Sequence, residues 1–416
     1  MTSAILIVFI LIFAAVPVVS AESDDSSSYY YIVIDQDTGA VLLGQNSDAR
    51  IFPASTTKIL TAFTALANSG ITTVVTASAK AVGPMESGAV RLPLSEGEQM
   101  QMYDMLNALL LRSANDVAVA IAENIGGTVE NFSNMMNEKA ADAGALDTHF
   151  TNPHGLHDDE HYTTPYDLAM ITRKALENYA FTTIVGKYEY TLPASNKRTG
   201  MVTLRNSNPI LGQNDGTDFL VTGVKTGYTS KAKYTLVSAA HDYTGRELIC
   251  VVANMPSRAA SAELSLGLMK KAFEEFSVQP VAYAGQILTG RITDEFDYPV
   301  ASAMGLEYLM PRNESLWKLS TRLAKYAGAD NNPEKGEIVG AVTYIYNGVE
   351  IGSSYIVAAE SRASSPSMEL HKITDFGPET RASFPLRFLI PLSLAVISAA
   401  LFFFSCIRYN EKQVKE

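Results

Sequence analysis

Ser55 and Lys58 stand three residues apart in the stretch FPASTTKILTAF, residues 52–63. On a helix that spacing puts both side chains on one face, within reach of each other. A hydroxyl beside an amine is a nucleophile beside a base. The Ser-x-x-Lys pattern recurs at Ser230/Lys233 and Ser315/Lys318, so the spacing alone describes a solvated helix face as well as a catalytic pair. The copy at Ser55 differs because it opens an apolar helix, where free N–H groups and the positive helix end lie beside the hydroxyl. Two further patterns follow in order. Ser113-Ala114-Asn115 is the single Ser-x-Asn of the chain, and Lys225-Thr226-Gly227 its single Lys-Thr-Gly. Taken separately, Asn115 beside Asp116 could be a helix cap, and Lys225-Thr226-Gly227 the exposed end of a strand. Arg198-Thr199-Gly200 is a near-copy in a Pro/Asn/Lys loop and is set aside as a decoy.

The elements around these residues can be read from pattern. YYYIVIDQDTGAVLLGQNSD predicts two strands around a turn, and residues 55–68 a helix stopped by Ser69-Gly70. One or two apolar-faced helices precede and follow the junction RSAND. Further helices are predicted over TVENFSNMMNEKAADAGA and over TTPYDLAMITRKALENY, the second with Thr164 as cap and Pro165 in its first turn. FLVTGVKTGYTSKAKYTLVSAAHDYTGRELICVVANM reads as three strands, and about 259–276 as a last helix. The first and last strands should share one sheet. From Val278 short strands with Asn-Gly and Gly-Ser turns take over, with helix expected only around Leu316–Tyr326.

The ordered set Ser-x-x-Lys, Ser-x-Asn, Lys-Thr-Gly resembles the serine-acylase signature of penicillin-binding proteins and serine β-lactamases. The stretches IFPASTTKILTAF, LLRSANDVAVAIAENIGG, MNEKAADAGALDTHFTNPHGLHDDEHYTTPYDLAMI and VTGVKTGYTSKAKYTLVSAA are similar to the low-molecular-mass penicillin-binding proteins. More narrowly, they resemble the D-alanyl-D-alanine carboxypeptidases of the S11 peptidase family, over roughly residues 30–276. The resemblance implies an α+β, β-lactamase/penicillin-binding-protein-like transpeptidase fold: an antiparallel sheet with helices on both sides plus a helical region. It implies removal of the terminal D-alanine from peptidoglycan stem peptides through an acyl-enzyme on Ser55, and covalent capture of β-lactams. Lys58 would take the Ser55 proton, which requires a lowered amine pKa from burial or from a neighbour such as Lys225. Ser113 would relay a proton to the leaving amine, and Asn115 would hold a substrate amide. Lys225 and Thr226 would bind the terminal carboxylate. Gly227 would let substrate lie close along the strand, and the N–H groups of Ser55 and Tyr228 would form an oxyanion hole. Arg258, just after the last strand, is a candidate for steering the carboxylate, against the simpler reading of a solvated surface arginine.

No metal or cofactor is required. His154, His157 and His161 with Asp158, Asp159 and Glu160 invite a metal reading, but His-x-x-His-x-x-x-His in an acidic loop is not a specific ligand spacing. A loop whose polar groups bond backbone and water is the reading adopted. A β-lactamase would use the same acyl chemistry, yet the Glu-x-x-Leu-Asn segment of class A enzymes is missing after Ser113. A D,D-endopeptidase and a catalytically weak wall-binding protein remain as alternatives.

Composition and the chain ends set the compartment. The 416 residues are 47% hydrophobic with net charge −12, and lack the basic run that a nucleic-acid partner needs. Residues 4–19 are apolar, and Val19-Ser20-Ala21 at their C-terminal boundary is a small-residue cleavage site before Glu22. No Lys or Arg precedes them, so an uncleaved anchor is the alternative. Phe388–Ile407 runs 20 residues without a charge, enough to span a bilayer. Arg408, Lys412 and Lys415 suit a cytoplasmic tail, although Arg381 and Arg387 lie on the other side. Cys250 and Cys406 fall in different settings and should not pair. The expected organisation is therefore a signal peptide at 1–21, a D,D-peptidase catalytic domain at 22–277 and a β-rich domain at 278–360. A Ser/Pro-rich linker at 361–386, a transmembrane helix at 387–408 and a tail at 409–416 follow. The catalytic domain would lie outside the cytoplasm, held to the cell membrane by a single span.

Overall fold

Asp35 shapes the first turn. Its carboxylate accepts from the Thr38 N–H at 2.8 Å and the Thr38 hydroxyl at 2.6 Å. Gly39 then takes φ +75°, which a glycine adopts without strain. The strands Tyr30–Asp35 (β1) and Val41–Gln45 (β2) are thereby joined as a hairpin. The structure is a computed structural model and describes residues 29–86, 88–213, 218–288, 296–313, 318–326 and 333–360. The signal peptide, linker, transmembrane helix and tail expected at 1–21, 361–386, 387–408 and 409–416 lie outside these residues, as does Cys406.

After β2 a 3-10 turn, Ala54–Thr56, leads into helix α1, Thr57–Asn68. The chain continues through β3 (Val74–Thr76), α2 (Ala79–Val82), β4 (Gln99–Gln101) and α3 (Met102–Asn107). A π-helical turn, Ala108–Arg112, and a left-handed Ser113 (φ 70°) separate α3 from α4 (Asn115–Gly126). Helices α5 (Val129–Asp142), α6 (Pro165–Leu176) and α7 (Tyr179–Val185) follow, then the short pair β5 (Glu189–Leu192) and β6 (Val202–Arg205). The long strands β7 (Phe219–Thr229), β8 (Lys233–Asp242) and β9 (Glu247–Met255) precede helix α8 (Arg258–Glu275). The Thr164 hydroxyl caps α6 by accepting from the Asp167 N–H, with Pro165 in the first turn.

The central sheet is antiparallel throughout, in the order β2-β1-β9-β8-β7. The first strands of the chain thus pair with the last, as the sequence pattern requires. Strand β9 shows why the sheet is covered on both sides. Its alternate residues Leu248, Cys250 and Val252 pack with Leu268, Met269, Ala272 and Phe273 of α8. Ile249 and Val251 point the other way, into a cluster with Ile59 and Leu60 of α1 and Leu168 and Ile171 of α6. A two-residue side-chain period, buried on both faces, makes ELICVVANM a continuous apolar run. Helix α1 is enclosed in turn: Thr57, Lys58, Ile59, Leu60, Thr61, Ala62, Thr64 and Ala65 are all buried.

Beyond α8 the chain builds β10 (Phe276–Ala282), β11 (Val300–Ser302), β12 (Leu306–Pro311), β13 (Leu319–Lys325), β14 (Ile338–Tyr346) and β15 (Val349–Ala358). β10 pairs with β12, and the others form a second sheet ordered β11-β15-β14-β13. Val300, Val339, Val342 and Ile356 anchor its core. One expectation is corrected here. Leu319–Lys325 is not helix but a strand paired along its length with β14. Its burial alternates residue by residue, and that period of two outweighs the helix propensity of Leu, Ala and Lys.

Candidate active site

The 3-10 turn and α1 deliver Ser55 and Lys58 to one spot. Ala54 takes φ 49°, and the Thr56 hydroxyl ties back to the Pro53 carbonyl at 2.6 Å. Ser55 is partly exposed, whereas Lys58 is completely buried. Lys58 Nζ lies 3.0 Å from Ser55 Oγ and donates to the His154 carbonyl at 2.5 Å. Its pKa is driven well below the usual lysine value, first by burial and then by the neighbouring Lys225; Asp116 opposes this more weakly.

Lys225 is 1% exposed, on edge strand β7. Burial, with help from Arg258, lowers its pKa to about 7. None of the ion pairs among the described residues involves Lys58, Lys225 or Arg258. Arg258 is exposed and begins α8, at the helix end where a positive charge is unfavourable. Its guanidinium donates to the Ser207 carbonyl. Gly227 lies against the turn that carries Ser55. A Cβ there would come 2.9 Å from the Pro53 carbonyl oxygen and 3.1 Å from the Ser55 nitrogen. Only a residue without a side chain lets β7 run this close to Ser55. Tyr228 follows, 56% exposed, its ring tilted over Tyr234.

Ser113 and Asn115 come from the break between α3 and α4. The left-handed Ser113 ends the π-helical turn, and Asn115 is the first residue of α4, its N–H bonded to the Val90 carbonyl at 2.8 Å. Ser113 Oγ and Asn115 Oδ1 are both buried without a hydrogen-bond partner among the described residues. Leaving such atoms unsatisfied costs about 1–3 kcal/mol each, which marks them as groups awaiting a polar ligand. Asp116 explains the rigidity beneath them. Its buried carboxylate accepts from the N–H groups of Leu92, Leu94 and Val117 at 2.9–3.1 Å, stitching the 90–94 loop to α4.

The histidine-rich loop acts as a clamp on α1. His161 Nδ1 accepts from the Thr151 N–H at 3.1 Å, so its ring proton is on Nε2 and reaches Thr57 Oγ1 at 2.8 Å. Burial holds the pKa of His161 near 3, and burial with the Lys58 charge does the same for His154, so both rings stay neutral. His154 Nδ1 accepts from the Leu156 N–H, and His157 sits edge-on to Phe52 with Asp159 at 3.2 Å. Asp158 caps the Glu160 N–H. These contacts hold the loop. Arg198 of the near-copy pairs with buried Glu98 at 3.2 Å, between β5 and β6.

Several residues that matter here carry no sequence signal. Ser207 bridges three parts of the site. Its hydroxyl lies 2.8 Å from Thr226 Oγ1, its N–H donates to the Leu111 carbonyl at 3.2 Å, and its carbonyl accepts from Arg258. The backbone of His154 and Gly155 packs directly on the turn and helix start that carry Ser55 and Lys58. The Gly in NPHGL is a legible hint of a special backbone, but not of where it packs.

The profile of the D-alanyl-D-alanine carboxypeptidase family, peptidase S11, matches residues 17–257. D-alanyl-D-alanine carboxypeptidase DacF of Bacillus subtilis is 32% identical over 252 residues, covering 60% of this chain and 63% of that protein. DacA of Haemophilus influenzae is 29% identical over 335 residues, covering 77% and 82%. Among solved structures, penicillin-binding protein 5 from Haemophilus influenzae superposes with a TM-score of 0.62 at 28% identity, over 80% of this chain and 96% of the other.

Proposed function

This chain belongs to the D-alanyl-D-alanine carboxypeptidase family, and from that premise we propose that it is a serine-type hydrolase that removes the terminal D-alanine from peptidoglycan stem peptides. The observation that carries the reading is a fully buried lysine, without an acid partner and with its pKa pushed down, 3.0 Å from the Ser55 hydroxyl. A neutral amine in that place is a base, not a salt-bridge partner.

Ser55 Oγ attacks the carbonyl of the penultimate D-alanine while Lys58 Nζ takes its proton. The N–H groups of Ser55 and Tyr228 face the developing oxyanion. Ser113 passes a proton to the departing amine, and the C–N bond breaks to free D-alanine. Asn115 holds a backbone amide of the substrate. Lys225, by charge, and Thr226, by hydroxyl, grip the terminal carboxylate, with Arg258 adding charge from behind. Gly227 leaves room for an extended peptide to run beside β7. Water then hydrolyses the ester on Ser55. A β-lactam enters the same way and stays as an acyl-enzyme. D,D-endopeptidase action on cross-links uses the same bond and the same residues.

The body works outside the cytoplasm, exported by residues 1–21 and tethered through the charge-free run 388–407. Among the described residues, no helix is long and apolar enough to cross a membrane. A chain ending at Arg381 is expected to be soluble and to release one D-alanine per diacetyl-lysyl-D-alanyl-D-alanine. Membrane retention of that chain would refute the tether, and absence of free D-alanine would refute the carboxypeptidase.

The two lysines set a pH window. Activity needs Lys58 neutral and Lys225 charged. With Lys58 depressed and Lys225 near 7, kcat/KM is expected to rise as Lys58 loses its proton and to fall above about neutrality as Lys225 loses its own. Arg258 is one cause of the lowered Lys225 value, so Arg258→Gln should move the falling limb to higher pH while raising KM. A falling limb unmoved by that substitution would separate it from Lys225.

A further inference from the structure

We infer that Ser207 is a positioning residue for carboxylate recognition, acting through Thr226 and tying the Ser-x-Asn and Lys-Thr-Gly segments into one unit. It lies in none of the three motifs. The inference rests on the carboxypeptidase reading and adds a specificity element to it.

The geometry carries the argument. Thr226 has one hydroxyl proton and two lone pairs. The two hydroxyls lie 2.8 Å apart and either can donate; once an anion in the cleft takes the Thr226 proton, Ser207 Oγ is the group that donates into a Thr226 lone pair. A hydroxyl that donates to an anion forms a stronger bond than one that donates to a neutral group. Ser207 is kept at this distance because its own backbone is held from both sides. Its N–H is bonded to Leu111, two residues before Ser113, and its carbonyl takes the Arg258 guanidinium. The flanking asparagines brace the turn. Asn206 Nδ2 donates to the Val185 and Lys187 carbonyls, while its Oδ1 accepts from the Asn208 N–H at 2.9 Å. Asn208 Oδ1 then accepts from the Ile210 N–H at 3.0 Å. A serine whose backbone and neighbours are tied at this many points holds one place. The same residue therefore touches Thr226, Arg258 and the segment that carries Ser113 and Asn115.

The test uses the full-length protein and two probes, diacetyl-lysyl-D-alanyl-D-alanine and its C-terminal carboxamide. Ser207→Ala is expected to raise KM for the acid roughly 2- to 13-fold with little change in kcat, the scale of one lost hydrogen bond between neutral groups. Turnover of the carboxamide should change far less, so the preference for a free carboxylate narrows. Ser207→Thr, which keeps the hydroxyl, should restore the preference. Complete labelling of Ser55 by a fluorescent penicillin shows that the variant is folded. A wild-type preference retained by Ser207→Ala overturns the inference, as does equal loss on both probes or failure of Ser207→Thr to rescue. Failure of the wild-type protein to release D-alanine overturns instead the functional reading beneath it.

Discussion

Lys58→Met should lose covalent labelling by fluorescent penicillin and D-alanine release by roughly 10⁴-fold or more, the scale seen when a nucleophile's activating partner is removed. Methionine is close to lysine in length and apolar, so it fills the same buried volume. It also removes a buried amine whose desolvation disfavours charge, leaving the His154 carbonyl and the partly exposed Ser55 Oγ as the acceptors that lose a donor. The gain and the loss are each about 1–3 kcal/mol, and the melting temperature should change little. Loss of chemistry without loss of fold is therefore the expected pattern. Ser55→Ala should match it in activity. Because the two groups act as one device, the double variant should be no worse than either single one. Labelling of Lys58→Met at the wild-type rate would remove the amine from the mechanism.

Gly155→Ala is expected to be the most damaging substitution outside the three motifs. Gly155 has φ +81°, and a Cβ there would lie 1.8 Å from the Ala54 carbonyl oxygen and 2.8 Å from Thr57 Oγ1. Neither side can yield easily. The Gly155 N–H is bound to Asn152 Oδ1 at 2.7 Å, the Pro153 carbonyl to Thr61 at 2.6 Å and the His154 carbonyl to Lys58. The clash together with the backbone strain should cost roughly 2–4 kcal/mol. The turn it displaces holds Ser55, and a misplacement of about 1 Å at a nucleophile is worth about 10²-fold in rate. Gly144→Ala provides the comparison. Gly144 is just as left-handed (φ +83°), but an added methyl there would meet nothing within 4 Å, so only the backbone strain, about 1 kcal/mol, should appear. Thermal melting and acylation rate, read together, check both. Equal behaviour of the two variants would show that contact with Ala54 is unimportant.

The parts of the molecule that repeat or punctuate are legible in the sequence. Strands β7 to β9 announce themselves by alternation and turns, and Thr164-Pro165 by helix-start chemistry. The return of the last strand to the first follows from the two-sided apolar run of β9. The three motifs are legible because Ser-x-Asn and Lys-Thr-Gly each occur once, and because the set follows in order on a helix start, a helix junction and a strand. What escapes reading depends on contacts between distant segments. Ser207 sits in Asn-Ser-Asn, which by itself says only turn; its importance comes from Leu111, Thr226 and Arg258, 19 to 96 residues away. The pairs β3/β4 and β5/β6 are three or four residues a strand, too short for a period to declare itself. Leu319–Lys325 reads as helix because helix-favouring residue types mask its alternation until β14 lies alongside.

Lys225 and Arg258, unmatched by any acid among the described ion pairs, belong to a chain whose overall charge is −12. An anionic polymer approaching from afar meets a field of its own sign, and the attraction begins only inside a Debye length, about 8 Å at physiological salt. On the proposed reading, discrimination for a carboxylate is therefore exercised at contact rather than during encounter. Ionic strength acts on the outer repulsion sooner than on the buried Lys225.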